Sequence, residues 1–453
     1  MRLSRFSPAH VRWLLTGALV FCSETAFANG RLPASNQLVI DTLRPDRVLL
    51  RTTFGVLYSV DRGKNWDWVC ETALHYGGIQ DPMFTFTEDG NIVGATFDGF
   101  VRSRDMDVCK VEVAGGNLTD KIFVDLTSRP AAPATVFALS GGYAETDDAG
   151  VFLYNSEIFR SDDNASSFVR VGEPLDRKAV YQTIDVAPSN PSRIYASGSR
   201  GIAEGRKGFI AISDDGGTTF HESPIDLSWP NEYAPYIAGV HPTNPDILYV
   251  RTAGPPGAPS RLFRSTDGGA SFGVVLEFQG PMEGFALSAD GSKVWAGGTV
   301  DRLHRANTSD HQFTKISDTQ VQCLTWTASE LWVCSNEITG YIAGRSKDDG
   351  ATFEPLLKFK SIRGPIKCPA DSVASSCLKE WPALKLDLGI GSEGPPDAGR
   401  KPDAGAKPGT DGDEGGSCAT HPTHTGLVAL SMLAGLAVVA SVRRRSRPFR
   451  GAR

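Results

Sequence analysis

Among the six cysteines of its body, this 453-residue chain has no Cys-x-x-Cys and no histidine pair beside them. The spacings that build zinc or iron–sulfur sites are therefore missing, and no metal or cofactor is expected. A basic face is missing too. The ends carry net +2 (residues 1–28) and +6 (443–453), so an overall charge of −6 leaves −14 between them. Phosphate binding needs positive charge, which argues against a nucleic acid partner. Only one charge-free apolar run approaches bilayer length, so a multi-span membrane protein is excluded. What is abundant is Gly (48) and Pro (28), which favours many turns and short strands over long helices. The hydrophobic share of 40% and charged share of 22% are those of a folded protein, not a disordered one.

Both ends read as addresses. Arg2, Arg5 and Arg12 lead into a short apolar core, Trp13 to Phe21, and Ala26-Phe27-Ala28 is a small-x-small cleavage site, so residues 1–28 are expected to be a signal peptide. Residues 391–417 are rich in Gly, Pro, Asp and Lys and repeat Pro-Asp-Ala-Gly at 396–399 and 402–405. That composition cannot bury a core and predicts a disordered tether. Residues 426–442 are mostly apolar and predict one transmembrane helix, with Arg443, Arg444, Arg445 and Arg447 holding the C-terminus on the cytoplasmic side. The order Gly415-Gly416-Ser417-Cys418, apolar helix, Arg cluster, chain end resembles the MYXO-CTERM sorting tail of myxobacterial surface proteins. The resemblance covers residues 418–453 and implies Cys418 as the processing or modification residue. It also implies export machinery and a C-terminal sorting protease as partners, and a route from an inner-membrane-anchored precursor to the cell surface or outer membrane.

Between the ends the sequence repeats. Ser59-Val-Asp61-Arg-Gly63-Lys-Asn65-Trp66 recurs as Ser161–Phe168, Ser213–Phe220, Ser265–Phe272 and Ser346–Phe353, giving S-x-D-x-G-x-(S/T/N)-(W/F). Degraded copies lie at Ser103-Arg-Asp105 and before Phe313, with Thr308 in the Asp place. Asp61 and Asp348 are 287 residues apart, six steps of about 48, a blade-sized period. Each box follows a short apolar strand, and two more precede it. The first strands fall at 38–40, 83–86, 122–124, 183–186, 237–240, 285–287 and 321–325. The third fall at 55–58, 100–102, 158–160, 209–212, 262–264, 303–305 and 341–343. With a fourth after the box, this predicts an all-β, seven-bladed β-propeller over residues 34–360, followed by a Cys-containing extension over 361–390.

The motif resembles the Asp-box (BNR) repeat of sialidase-like, sortilin-like and photosystem-assembly-factor-like propellers, and His241–Val250 is similar to that superfamily's blade opening. In sialidase-like relatives the boxes lie away from the catalytic centre. The residues agree. An Asp in such a turn accepts backbone N–H bonds, Gly supplies a positive φ, and the terminal aromatic fills the gap between blades. Asp61, Asp163, Asp215, Asp267 and Asp348 are thus expected to be structural, because a working site breaks a repeat's symmetry rather than following it.

An exported chain with six body cysteines is expected to form disulfides. A two-residue turn at Ala328-Ser329 puts Cys323 opposite Cys334, inside disulfide range. Cys368 with Cys377 would close a short loop, leaving Cys70 with Cys109 by elimination.

Function is expected on the face with the long, irregular loops, those joining strands two to three and one blade to the next. They carry Tyr76, Tyr143, Asp147, Asp148, Arg200, Arg206, Trp229, Tyr233 and Tyr236. Aromatics beside charges can stack on sugar or anchor a protein, so the expected function is a non-enzymatic, surface-anchored binding module for a glycan or a protein. The alternatives are a glycoside hydrolase of the Asp-box propeller type and an envelope assembly factor. For the hydrolase, Arg31-Leu32-Pro33 is similar to the sialidases' Arg-Ile-Pro, and Asp81, Asp120 and Glu283 stand near first-strand starts, where they could line the central channel.

Overall fold

Short apolar strands of three to nine residues pair with their neighbours and bury two faces at once. In the computed structural model, which describes residues 32–114, 118–129, 132–201, 205–229, 231–327 and 329–391, they form seven antiparallel four-stranded sheets. Blade 1 is β1 (Ser35–Ile40), β2 (Val48–Thr52), β3 (Gly55–Ser59) and β4 (Asp67–Val69). Blade 2 is β5 (Met83–Phe86), β6 (Ile92–Thr96), β7 (Gly99–Arg104) and β8 (Asp107–Ala114). Blade 3 is β9 (Phe123–Arg129) and β10 (Ala132–Ser140), then a separate hairpin of β11 (Tyr143–Thr146) and β12 (Phe152–Tyr154), then β13 (Glu157–Ser161) and β14 (Val169–Val171). Blade 4 is β15 (Ala179–Val186), β16 (Ile194–Arg200), β17 (Lys207–Ser213) and β18 (His221–Ile225). Blade 5 is β19 (Ala234–Val240), β20 (Leu248–Ala253), β21 (Ser260–Ser265) and β22 (Gly273–Phe278). Blade 6 is β23 (Gly284–Leu287), β24 (Lys293–Gly298), β25 (Arg302–Asn307) and β26 (Thr314–Ser317). Blade 7 is β27 (Cys323–Thr327), β28 (Glu330–Cys334), β29 (Ala343–Ser346) and β30 (Glu354–Leu357). The fold is the expected seven-bladed propeller. The predicted third strand of blade 7, 341–343, starts later, at Ala343, because a turn over Glu337–Thr339 ends at Gly340 with φ 99° and Tyr341 packs into the core instead.

The core is a set of layers between blades. Phe100 of blade 2 meets Phe123 (ring centroids 4.0 Å apart) and stacks on Phe168 (4.1 Å) of blade 3. Second-strand aromatics are fully buried and reach forward. The Tyr195 hydroxyl donates to the Pro245 carbonyl (2.7 Å), and Trp295 Nε1 donates to the Asp349 carbonyl (2.8 Å). The innermost strands would otherwise leave unpaired backbone groups along the channel. Side chains of adjacent blades satisfy many of them. Gln37 exchanges two bonds with the Phe84 backbone (both 3.0 Å), Asp125 accepts from Ile184 N (2.8 Å), and Thr183 Oγ1 accepts from Ile237 N (2.9 Å). Across the closure, Thr325 Oγ1 donates to the Leu38 carbonyl (2.7 Å) and Ser35 Oγ to the Ile342 carbonyl (3.2 Å).

The extension corrects two of the expected disulfides. Cys323 and Cys334 face each other and are bonded, with Cα atoms 4.8 Å apart. However, Cys70 is bonded to Cys377 and Cys109 to Cys368, not Cys70 to Cys109 or Cys368 to Cys377. Nearness in sequence misled because the chain does not loop back after blade 7. It runs parallel to β4 instead: Trp68 N donates to the Gly364 carbonyl and Ile366 N to the Trp68 carbonyl (both 2.8 Å). That path delivers Cys368 to the outer strand of blade 2. Helix α1 (Cys377–Asp387) then starts at Cys70 and lays Trp381 against Trp68 (5.6 Å). Three disulfides fit an oxidising compartment. The signal peptide (1–28), most of the tether (391–417) and the sorting tail (418–453, with Cys418 and the 426–442 helix) lie outside the described residues. Among the described residues, no helix is long and apolar enough to cross a membrane.

Candidate functional site

The two faces use their polar side chains differently. On the box face the five aspartates are held by their own turns. Asp215 Oδ1 accepts from Thr219 N (2.9 Å) and Ser213 Oγ (2.8 Å), and Oδ2 accepts from Thr219 Oγ1 (2.7 Å). The same bonds recur at Asp61, Asp163, Asp267 and Asp348. Hydrogen bonds to the charged form hold it in place. The backbone and hydroxyl of Thr219 and the Ser213 hydroxyl lower Asp215 to about 2, and matching groups lower Asp267 and Asp348 to about 2. Each box Ser also accepts the N–H of the residue at the Gly position, as in Gly269 N to Ser265 Oγ (2.8 Å).

On the irregular face the expected binding residues divide. Tyr76 is a correction. At 7% exposure it is part of the blade 1–2 core, packed against Phe84 (6.3 Å), because residues 70–76 fold inward from the Cys70 disulfide. Arg200 is engaged between Asp176 (2.7 Å) and Glu222 (2.7 and 2.6 Å). Asp147 is the turn residue of the β11–β12 hairpin, accepting from Ala149 N (3.0 Å) and Val151 N (2.8 Å), and Asp148 stands exposed beside it. Trp229 lies under the Arg261 guanidinium (5.1 Å), which is itself paired with Glu232 and Asp226.

The remaining residues gather. The β11–β12 hairpin presents Tyr143 (46% exposed) and Phe152 (43%) edge to face at 6.0 Å. Tyr154 pairs with Tyr143 and shares the field of Arg206, whose guanidinium lies 4.7 Å from the ring of Tyr233 (40% exposed). Blades 3 to 5 thus share one aromatic and cationic surface.

Inward of it lies the channel mouth, where sequence reasoning named only Tyr236, Glu283 and Asp81. Tyr236 is the third residue of β19, and its hydroxyl donates to Gln182 Oε1 of β15 (3.1 Å). Arg251, opposite it on β20, lies over its ring (5.0 Å). Asp125 of blade 3 feels both Arg51 of blade 1 and Tyr236 of blade 5, blades that come near each other only across the axis. Arg51 donates to the carbonyls of Asp81 (2.5 Å) and Pro82 (3.3 Å). Burial pushes Asp125 up to about 7 and Asp185 up to about 6, and it also raises Glu283. The carboxyl oxygens of Asp125 are taken by Leu126 N (2.9 Å) and Ile184 N (2.8 Å), and Asp185 Oδ1 accepts from Val186 N (2.8 Å) and Thr127 Oγ1 (3.2 Å). Asp120 is exposed, three residues before β9 begins at Phe123. One signal pointed to the arginines. Arg51 in Val-Leu-Leu-Arg-Thr and Arg251 in Leu-Tyr-Val-Arg-Thr are charges embedded at the same place in two otherwise apolar second strands.

No family model matches the chain, and no curated protein does. Among solved structures, an ancestral GH74 enzyme is similar over 72% of this chain at 14% identity, with a TM-score of 0.54. This chain covers 46% of that enzyme, about half its length. The hydrazine synthase of Kuenenia stuttgartiensis is similar over 72% of this chain and 98% of its own, at 9% identity and a TM-score of 0.51. The β-propeller domain of Myceliophteria thermophila Cps50 (Swd1) matches 68% of this chain and 94% of its own, at 12% identity and a TM-score of 0.44. At such identities the two likenesses with TM-scores above 0.5 are ones of fold alone.

Proposed function

We propose that this chain is an exported binding module that holds a surface polysaccharide against its irregular face without turning it over. The observation that carries this is the surface formed by Tyr143, Phe152, Tyr154, Tyr233 and Arg206. Three of these rings are two-fifths exposed or more, and open aromatic faces are what sugar rings stack on. The Asp boxes serve as scaffold. The address segments, read as signal peptide, tether and sorting tail with Cys418, would use export machinery and a sorting protease to display the propeller at the cell surface. The test is binding of the purified full chain to envelope and plant polysaccharides. Tyr143→Ala and Tyr233→Ala are expected each to weaken binding at least fivefold with unchanged melting, and intact binding in both variants would end the reading. A protein partner would appear as glycan-independent capture that the same substitutions remove.

A hydrolase remains the second reading, motivated by the raised carboxyls of Asp125 and Glu283 at the channel mouth and of Asp185 towards the other end of β15. Against it, both oxygens of Asp125 and Oδ1 of Asp185 already accept hydrogen bonds, and a general acid or base needs a free oxygen at the substrate. Turnover of xyloglucan, β-glucan or sialosides by the full chain, lost in Asp125→Asn or Glu283→Gln, would replace the binding reading with this one.

A further inference from the structure

Buried arginines in this fold are tied down. Arg47 holds Asp41, Arg261 holds Glu232 and Asp226, and Arg345 holds Glu354. Arg51 gives its donors to two backbone carbonyls. Arg251 occupies the same repeat position as Arg51, four blades on, and its guanidinium makes no hydrogen bond or ion pair among the described residues. Among the described residues its ring contact is with the face of Tyr236, 5.0 Å away. It is half-buried, so that burial lowers its pKa while the charge of Glu283 raises it. Beside it, Gln182 uses its amide oxygen to accept from Tyr236, while its amide N–H group donates to no described residue. A guanidinium fork and an amide donor thus converge on solvent at the inner edge of the aromatic surface. A guanidinium whose donors face solvent beside partly enclosing protein is open to a ligand's acceptor, and its planar fork matches a carboxylate.

We propose that Arg251, with Gln182 beside it, receives the carboxylate of an acidic sugar, so that the glycan held by the irregular face is a polyuronide or similarly acidic polymer. The proposal rests on the polysaccharide reading above but uses different residues, so the two fail separately. The experiment is calorimetric titration of the full chain with polygalacturonate and with its fully methyl-esterified form, whose backbone is the same and whose carboxylates are masked. The wild type is expected to prefer the free acid by about tenfold, the scale of one charge-assisted contact. Arg251→Gln removes that preference and leaves binding of the ester unchanged. Arg251→Lys, which keeps the charge but loses the fork, retains only part of it. Equal preference in wild type and Arg251→Gln, with melting unchanged, overturns the proposal. So does binding of poly-glutamate in place of the uronide, lost in the same variant, because it assigns the site to acidic protein. If Tyr143→Ala and Tyr233→Ala abolish binding of both polymers while Arg251→Gln changes nothing, the face reading stands and this one falls. If Arg251→Gln removes the preference while the aromatic variants bind normally, the reverse holds.

Discussion

The box face and the channel mouth both carry rows of carboxylates, and the surroundings assign them opposite behaviour. Each box aspartate sits in water and accepts several hydrogen bonds from its own turn, so its charged form is favoured. Asp125 and Asp185 also accept backbone N–H bonds, but protein encloses them, and desolvation outweighs those bonds. The same residue type, accepting the same kind of donor, is a stable anion at the rim and a reluctant one at the axis. Repetition therefore marks the places where the chain satisfies itself locally, and departures from it mark the places where groups are left facing a common space.

The strongest departure from sevenfold symmetry is the clamp on blades 1 and 2. Its two disulfides close loops of 307 and 259 residues. Replacing Cys70 and Cys377 together by Ala is expected to cost about 2–5 kcal/mol in denaturant unfolding. It should also expose the segment after Arg363 to proteolysis, while blades 3 to 6 keep their protection against hydrogen exchange. A uniform loss of protection around the ring would mean that the clamp closes the whole propeller rather than one sector.

Within the boxes, Ser213 is the fully buried link: its oxygen accepts from Gly217 N (2.8 Å) and its hydroxyl serves Asp215. Ser213→Ala leaves that buried N–H without an acceptor and should destabilise by about 1–3 kcal/mol. Glycan binding should not change, because the box lies on the opposite face. A loss of binding at full stability would break the division between scaffold and site.

The carboxylates themselves are separated by pH. Box aspartates have folded pKa values below the unfolded value near 4, so their contribution is present above it and is lost as pH falls towards 2. For Asp125 and Asp185 the folded value is the higher one. Their contribution is complete below about pH 4 and is lost as pH rises through about 6 to 7. His311, which burial holds down at about 4, superimposes a loss as pH falls from about 6.5. Urea midpoints of variants separate the two rows of carboxylates. Asp125→Asn should flatten the decline between about pH 4 and 7 and leave the acid limb alone, whereas Asp215→Asn should alter only the acid limb. The same slope in both variants would show that the surroundings do not distinguish the two rows.

Much of this was legible in the sequence, for a physical reason. The boxes, the strand triplets and the Cys323–Cys334 pairing are set by contacts a few residues apart, and a 48-residue period repeats them. What was missed depends on contacts distant in sequence. The path of residues 363–366 along β4 decides the other two disulfides. The burial of Tyr76 follows from that clamp, and the meeting of Arg51, Asp125 and Tyr236 follows from ring closure. The β11–β12 hairpin did have a local signal, Asp147-Asp-Ala-Gly150, where Asp147 accepts from the turn and Gly150 has φ 78°. It lay inside a segment expected to be irregular.

The smallest effect tests whether the box is one device or five. Four boxes place Gly at the position with positive φ, for instance Gly269 at 92°, while blade 3 places Ala165 there at 61°. Ala165 still donates its N–H to Ser161 Oγ (2.9 Å), so the turn is made at the expense of a left-handed alanine. That conformation costs about 1 kcal/mol relative to glycine, partly offset by the extra freedom glycine has when unfolded. Ala165→Gly should therefore stabilise the protein by up to about 1 kcal/mol, read as a small rise in the urea midpoint at constant slope. Ala165 is fully buried, so its methyl also packs between blades 2 and 3. A net loss of stability would show that this packing outweighs backbone strain, making blade 3 a site where the repeat was altered for the interface and not merely worn.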